Sequence, residues 1–276
     1  MTESTRHPDG PLARALALVS EVAAATPAGL LADFDGTLSP IVADPGLARL
    51  VDGADGALAA LVRRLAVVAI VTGRAPADAR RMTNVPGLLI AGNHGTEWLE
   101  PDASTPVASP AAATARAAVA AVVARVPVID GVVVEDKGIS ASVHYRNAAD
   151  PDAAHATVLR AIGSLGPALE RRSGRMSIEI RPVGLGDKGA AARAIVERFG
   201  LRGAIVMGDD VTDLDMFTAI ADLRGTGVLA GAIIAVGGGD AEVPAAVTAA
   251  ADVVLDDPAQ AAVLLATLAE AMPALR

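Results

Sequence analysis

The stretch LLADFDGTLS, residues 30–39, decides the fold, because an apolar run ends there in two acidic residues one position apart. A short and nearly continuous apolar run is typical of a strand that helices cover on both faces. An unpaired carboxylate in such surroundings costs free energy. Asp33 and Asp35 therefore indicate chemistry, a bound cation, or both at the carboxyl end of a buried strand.

Similar apolar runs recur along the chain and alternate with segments that have helical periodicity. The predicted strands are 29–34, 66–71, 88–91, 204–207, 228–236 and 253–255. The predicted helices are 54–64, 76–82, 188–199, 213–221 and 258–271. This alternation predicts an α/β fold with a Rossmann-like, doubly wound parallel sheet.

The middle of the chain breaks this alternation. Its predicted elements are an Ala-rich helix at 111–125, strands at 132–135 and 140–145, a helix at 152–162 and the segment RMSIEIRP. Gly138 lies between the two strands and predicts a short turn there. We therefore predict a core of residues 1–105 and 184–276, with an inserted, smaller α+β cap domain of residues 106–183.

The composition excludes several classes of function. The net charge of −9 argues against a nucleic-acid partner and against binding to anionic membranes. The absence of cysteine excludes disulfides, thiolate nucleophiles and cysteine-ligated zinc. The polar, proline-containing N-terminus is not typical of a signal peptide, and the longest apolar run is shorter than the roughly 20 residues of a spanning helix. These features predict a cytoplasmic protein with no membrane partner.

Reactive side chains follow three of the predicted strands. Asp33 and Asp35 follow the first, Thr72 the second, and Asp209 with Asp210 the strand at 204–207; Lys188 begins a predicted helix. Ligands of an open parallel sheet bind outside the carboxyl ends of its strands. A single acid in such a place is more often a helix N-cap. The coincidence of several at one edge favours a catalytic site.

The motifs DFDGT, VTGR, a lysine at a helix start and GDDVTDLDMF are similar to the four signature motifs of the haloacid-dehalogenase-like phosphohydrolases. The resemblance implies that Asp33 is the nucleophile and Asp35 the general acid and base. It also implies that Thr72 donates a hydrogen bond to a phosphoryl oxygen. Lys188 would balance the charge of the phosphoryl group and of the nucleophile.

The acidic residues of these motifs require a cation beside a phosphate group. They are Asp33, Asp35, Asp209, Asp210 and Asp213. Together they would repel a phosphate dianion, and oxygen ligands of this kind are those that Mg²⁺ prefers. The resemblance implies that the Asp33 carboxylate, the Asp35 main-chain carbonyl and the Asp209 carboxylate bind Mg²⁺. Asp210 and Asp213 would orient waters or the lysine, and Gly36 would permit the tight turn beside the metal.

Other segments resemble the trehalose-6-phosphate phosphatase subfamily, namely DFDGTLSPIV, AGNHGTEW, VEDKGISASVHYR and IEIRP. The position of the inserted domain, between Thr72 and Lys188, is similar to that of the cap in the sugar phosphatases of the larger family. The resemblance implies that Glu135, Lys137 and Glu179 grip the glucose ring distal to the phosphate. The few aromatic residues leave charged groups as the main means of sugar recognition. The further candidates for substrate binding are Arg74, Asn93, His94 and Arg146.

Most of these residues have an alternative role. Glu135, Lys137 and Glu179 could form the solvated face of a sheet. His94 could be a hydrogen-bonded histidine that binds no ligand. Arg74 and Arg146 could pair with acidic residues.

The expected function is Mg²⁺-dependent hydrolysis of trehalose 6-phosphate to trehalose and phosphate through an aspartyl-phosphate. It implies a functional link to a trehalose-6-phosphate synthase. One alternative is a phosphatase for another glycosyl or pseudo-disaccharide phosphate. Another is a catalytically silent sugar-phosphate-binding subunit, although all the catalytic positions are filled. A phosphoacceptor receiver domain also has an acidic pocket, but it would leave the inserted domain unexplained.

Overall fold

The computed structural model describes residues 10–108, 110–174, 176–183, 187–237 and 243–273. The chain divides into two compact units, unit 1 (Met1–Pro106 and Gly186–Arg276) and unit 2 (Val107–Leu185). These limits differ by one or two residues from those predicted for the core and the inserted domain. The predicted boundary at Gly184 lies outside the described residues.

Unit 1 is built on a mainly parallel sheet. Its strands are β1 (Ala28–Ala32), β2 (Val67–Val71), β3 (Leu89–Gly92), β4 (Glu97–Leu99), β10 (Gly203–Gly208), β11 (Ala230–Val236) and β12 (Val253–Leu255). They lie in the spatial order β12-β11-β10-β1-β2-β3-β4. All neighbouring pairs are parallel except β3 with β4. The predicted α/β fold with a parallel-dominated sheet is confirmed.

Helices cover both faces of this sheet. They are α1 (Pro11–Ala24), α2 (Ala54–Val62), α3 (Pro76–Thr83), α6 (Lys188–Arg198), α7 (Leu214–Gly225), α8 (Ala245–Ala250) and α9 (Pro258–Ala271). Leu30 of β1 belongs to a buried cluster with Leu58 of α2. The next residue, Leu31, belongs to a second cluster with Ile195 of α6 and Phe217 of α7. Successive side chains of β1 therefore enter opposite layers, which explains why the whole run is apolar.

The predicted elements of unit 1 differ from the structure at a few places. The prediction omits α1, α8 and β4, although the buried Ala15, Val19 and Val22 of α1 follow helical spacing. The turn at 93–96 is too short for the crossover that a parallel pair needs, so β4 runs antiparallel to β3. The strand predicted at 228–236 begins only at Ala230, since the chain is still turning at Gly227, which has a φ of 72°.

Unit 2 is an α+β unit. Its elements are β5 (Val107–Ala108), α4 (Pro110–Val123), β6 (Val133–Asp136), β7 (Ala141–His144), α5 (Pro151–Ile162), β8 (Leu169–Gly174) and β9 (Ser177–Pro182). Four of its strands form an antiparallel sheet in the order β6-β7-β9-β8. Gly138, with a φ of 82°, lies between β6 and β7. The prediction omits β8 because only its first residue, Leu169, is buried, so the sequence shows no apolar alternation there.

The sheet of unit 2 has one apolar and one polar face. Val143 of β7 and Ile178 of β9 belong to a buried cluster with residues of α4 and α5. On the opposite face, Glu135, Ser142 and Glu179 stand in register on three neighbouring strands. This division follows from the alternation of side chains along each strand. Among the described helices of both units, none has the length and apolarity needed to cross a bilayer.

Candidate active site

Lys188 stands at the centre of a buried group of charges in unit 1. It is the first residue of α6, which begins there because the side chain of Asp187 accepts a hydrogen bond from the main-chain N–H of Ala190. Its Nζ lies 2.9 Å from Oδ1 of Asp33 and 2.8 Å from Oδ1 of Asp213, and its side chain is 2% exposed. Burial lowers the pKa of Lys188, but the two carboxylates outweigh burial and raise that pKa above its ordinary value.

Asp213 shapes the turn that follows β10. Its Oδ2 accepts the main-chain N–H of Asp209 at 3.0 Å and that of Asp210 at 3.1 Å, while its Oδ1 faces Lys188. A Cβ at Gly208 would overlap the Asp213 carboxylate, so glycine is needed for this close approach. The buried Asp213 is thus held by main-chain donors and in turn orients Lys188.

Asp209 follows β10 and lies against the loop that follows β1. Thr37 donates a hydrogen bond from Oγ1 to Oδ1 of Asp209 at 3.1 Å. Gly36 has a φ of 81°, and a Cβ there would overlap the same carboxylate. Glycine is therefore required at this position both for its positive φ and for the close approach of Asp209. Thr37 is a partner that was not predicted from the sequence, although it lies within the motif DFDGT.

Three carboxylates, of which two are buried and that of Asp209 is partly buried, meet in this region. Asp33, Asp209 and Asp213 each bring one oxygen to within 4.8 Å of the others. The pKa of Asp33 is raised to about 7, chiefly by burial; Lys188 opposes this rise, whereas Asp213 and Asp35 contribute to it. The pKa of Asp209 is raised to about 9, chiefly by burial; the carboxylates of Asp33 and Asp213 contribute to this rise, while Lys188 opposes it. A divalent cation would offset this repulsion, so these oxygen donors fit Mg²⁺.

Asp35 is held by Arg74. The Nε and Nη2 atoms of Arg74 each donate to one carboxylate oxygen of Asp35, both at 2.6 Å. A further donor, Nη1, reaches the main-chain oxygen of Pro45 at 2.9 Å, and the guanidinium lies 5.4 Å from the ring centre of Phe34. Arg74 therefore makes the ion pair that the sequence left as an alternative to substrate binding. The two-pronged contact fixes the plane of the Asp35 carboxylate.

Thr72 and the turn after β3 lie beside this pair. Thr72 is buried, and its Oγ1 accepts the main-chain N–H of Arg74 at 3.2 Å. His94 donates its main-chain N–H to the main-chain oxygen of Thr72 at 2.9 Å. Its ring lies so close to Gly73 that a Cβ there would be 2.8 Å from Cε1 of His94. Two predicted site residues, Thr72 and His94, are thus brought together by the main chain.

A second group of charges lies on the polar face of the sheet in unit 2. Nζ of Lys137 lies 3.9 Å from Oε2 of Glu135 and 3.8 Å from Oε1 of Glu179. These side chains are 11%, 26% and 15% exposed, so they do not form a freely solvated face. His144, which was not predicted from the sequence, joins this group, since its Nε2 lies 3.0 Å from Oε2 of Glu135. The half-buried Arg146 follows β7 in the same unit.

Comparison with known proteins gives a consistent result. A model of the trehalose-phosphatase family matches residues 31–245. A trehalose-phosphate phosphatase of Mycobacterium avium is 40% identical over 197 residues, which cover 68% of this chain and 50% of that protein. An uncharacterized glycosyl hydrolase of Mycobacterium tuberculosis is 44% identical over 208 residues, which cover 71% of this chain and 15% of that protein.

The fold has solved counterparts as well. The C-terminal domain of C. albicans trehalose-6-phosphate phosphatase superposes with a TM-score of 0.74 at 23% identity, over 94% of this chain and 98% of that domain. A trehalose-6-phosphate phosphatase related protein superposes with a TM-score of 0.69 at 22% identity, over 88% of this chain and 97% of that one. At these identities the likeness concerns the fold. The chain spans about half the length of the trehalose-phosphate phosphatases that it matches.

Proposed function

The chain belongs to the trehalose-phosphatase family, and from this premise we propose that it hydrolyses trehalose 6-phosphate to trehalose and phosphate. The observation that carries the proposal is the buried contact of Lys188 with Asp33, beside the carboxylates of Asp209 and Asp213. The relatives named as trehalose-phosphate phosphatases support the choice of substrate. A synthase that makes trehalose 6-phosphate would supply it.

Asp33 is the nucleophile of this proposal. One carboxylate oxygen attacks phosphorus, the bond between phosphorus and the sugar oxygen breaks, and an aspartyl-phosphate forms on Asp33. Lys188, 2.9 Å from Oδ1, favours the ionised carboxylate and balances the negative charge of the phosphoryl group. Thr72, at the end of β2, donates from its hydroxyl to a phosphoryl oxygen.

Asp35 is the acid and base. It gives a proton to the departing sugar oxygen, and it then takes a proton from the water that attacks the aspartyl-phosphate. This water breaks the bond between phosphorus and the Asp33 oxygen, which releases phosphate and restores the carboxylate. The two contacts with Arg74, at 2.6 Å each, hold Asp35 in a single orientation for both proton transfers.

We assign the metal site to Mg²⁺. Its ligands would be the Asp33 and Asp209 carboxylates and the main-chain oxygen of Asp35. When bound, the ion would neutralise the carboxylates and polarise the phosphoryl oxygens. Asp210 and Asp213 orient the surrounding groups, and Asp213 does so through its contact with Lys188.

Unit 2 serves as the cap that selects the sugar. Glu135, Lys137 and Glu179 offer donors and acceptors to the hydroxyls of the distal glucose ring. Arg146 and His94 are further candidates for contacts with the substrate. A wrong sugar would form fewer hydrogen bonds with these partly buried side chains, which is how a polar site discriminates between substrates.

The test is phosphate release in the presence of Mg²⁺ from trehalose 6-phosphate, glucose 6-phosphate, sucrose 6′-phosphate and an aryl phosphate. We expect a preference of about 100-fold or more for trehalose 6-phosphate, equivalent to about 3 kcal/mol of transition-state discrimination. Preference for another sugar phosphate would keep the chemistry and change the substrate. Hydrolysis of the aryl phosphate alone would overturn the role given to unit 2. No hydrolysis at all would indicate a silent binding subunit.

A further inference from the structure

The turn between β3 and β4 has an unfavourable backbone. Asn93 and His94 have φ values of 48° and 58°, so two successive residues with a Cβ take the left-handed conformation. Asparagine and histidine adopt this conformation more readily than most residues, but it is uncommon for any residue other than glycine. Such a conformation persists only where the surrounding contacts hold it, and it occurs preferentially at functional sites.

Glu97 contributes a side-chain contact that holds this turn. Its Oε2 accepts a hydrogen bond from Nδ2 of Asn93 at 2.6 Å, and both residues are buried. Glu97 pairs with Gly92 across the two strands, which fixes the position of its main chain. A hydrogen bond to a buried carboxylate is stronger than one between neutral groups. Thr96 adds a hydrogen bond from Oγ1 to the main-chain oxygen of Asn93 at 2.7 Å.

The turn between β3 and β4 also holds the loop that follows β2. Asn93 donates its main-chain N–H to the oxygen of Arg74 at 2.8 Å. The packing is close, since a Cβ at Gly92 would lie 2.7 Å from that same oxygen. Arg74 then donates twice to the carboxylate of Asp35. A continuous series of contacts therefore leads from Glu97 through Asn93 and Arg74 to Asp35.

We propose that Glu97 is a positioning residue for Asp35, acting through Asn93 and Arg74. This inference rests on the proposed function, in which Asp35 protonates the departing sugar oxygen. Loss of the carboxylate at Glu97 relaxes the turn, shifts Arg74 and misplaces Asp35, and proton transfer depends strongly on such placement. The amide of Asn93, a candidate for substrate binding from the sequence, acts in this arrangement as the link to Glu97.

The test compares two leaving groups in the variants Glu97→Ala and Glu97→Gln. A sugar alkoxide needs a proton from Asp35 in order to leave, whereas an aryl oxide such as p-nitrophenolate does not. The value of kcat/KM covers the steps as far as formation of the aspartyl-phosphate. For Glu97→Ala it should fall by about tenfold or more with the sugar phosphate that the wild type hydrolyses fastest. With p-nitrophenyl phosphate it should fall by less than about threefold. Glu97→Gln keeps an acceptor oxygen and should restore most of the loss.

Leu99→Ala is the matched control, because Leu99 is a buried residue of the same strand that lies outside the turn. It should lower stability and change kcat/KM for both substrates to the same degree. If Glu97→Ala does not fold, Asn93→Gly replaces it, because the amide that binds Glu97 is lost and glycine leaves the turn free to take other backbone conformations. Asn93→Gly should show the same selective loss.

Equal losses with both substrates, or no loss in Glu97→Ala, would overturn the inference while leaving the proposed function in place. A wild-type protein that hydrolyses neither substrate would instead remove the proposed function, and this inference with it.

Discussion

Two lysines of this chain lie between carboxylates, and they do so in different ways. In unit 1, Nζ of Lys188 lies 2.9 Å from Asp33 and 2.8 Å from Asp213, and the side chain is 2% exposed. In unit 2, Nζ of Lys137 lies 3.9 Å from Glu135 and 3.8 Å from Glu179, and the side chain is 11% exposed. A lysine between two carboxylates thus occurs once in a tight, buried group with aspartates and once in a looser group with glutamates.

The difference in contact distance indicates that the two lysine groups have different roles. The distances around Lys188 are those of charge-assisted hydrogen bonds, and such a group keeps its geometry before any substrate arrives. The distances from Nζ of Lys137 to the carboxylates of Glu135 and Glu179 exceed those of direct hydrogen bonds, so a sugar hydroxyl can replace these two contacts at a lower cost. We therefore expect unit 1 to carry the chemistry and unit 2 to carry the selectivity.

The largest effect should come from Asp33→Asn, because an amide cannot attack phosphorus. Turnover of a sugar phosphate and of an aryl phosphate should both fall by roughly 10⁴-fold or more, measured as phosphate release. The circular dichroism spectrum should not change. Asp52→Asn, at an exposed loop position of the same unit, is the control and should keep full activity. Substantial activity in Asp33→Asn would place the nucleophile elsewhere.

Removal of divalent metal should have the next largest effect. Treatment with EDTA should abolish phosphate release from both kinds of substrate, and Mg²⁺ should restore it, because the carboxylates of unit 1 repel a phosphate group. Phosphate release in a buffer that contains Mg²⁺ but neither zinc nor EDTA serves as the reference. Insensitivity to chelation would contradict the assignment of the metal site.

The same carboxylates make metal binding depend on pH. In the folded chain the pKa of Asp33 is about 7 and that of Asp209 is about 9, both above the ordinary value of 3.8. Between pH 3.8 and these raised pKa values, the folded state therefore binds more protons than the unfolded state. The stability of the metal-free protein should therefore fall as the pH rises through this range. Mg²⁺ should raise Tm more at about pH 8 than at about pH 6, where it must displace more protons. Equal shifts at both pH values would argue against a metal at these residues.

The two lysines can be compared directly through Lys188→Met and Lys137→Met. Lys188→Met leaves two buried carboxylates uncompensated, so the free energy of unfolding in urea should fall by about 3–5 kcal/mol. Lys137→Met removes longer contacts nearer the surface, and the loss should stay below about 1 kcal/mol. Similar losses in the two variants would remove the distinction between the tight and the loose group.

The smallest effect on the chemistry should come from Glu179→Ala. It should lower kcat/KM for the disaccharide phosphate by about 10- to 100-fold and that for an aryl phosphate by less than about threefold. Glu170→Ala is the matched control, since Glu170 lies on the same face of the sheet but pairs with Arg181 at 2.6 Å. It should leave the preference between substrates unchanged. Equal losses with both substrates in Glu179→Ala would show that Glu179 does not select the sugar.

The parts of the fold that could be predicted are those with a local signal. The runs at β1 and β10 are apolar throughout because both faces are buried, and the helices between them show the helical period. The strands β4 and β8 lacked such a signal. β4 holds the buried Glu97 in a three-residue strand, and β8 is exposed after Leu169. Their existence depends on a neighbouring strand that supplies main-chain hydrogen bonds.

The sequence by itself determined which residues follow the strands, and hence that Asp33, Asp35 and Thr72 lie at one edge of a parallel sheet. That conclusion needs only the order of the elements, since the carboxyl ends of parallel strands meet at one edge. The tertiary structure alone decided the partners of these residues. Arg74 binds Asp35, Glu97 binds Asn93, and His144 binds Glu135. Each pairing depends on strand register or on the path of a turn, and the same sequence pattern is compatible with several of these.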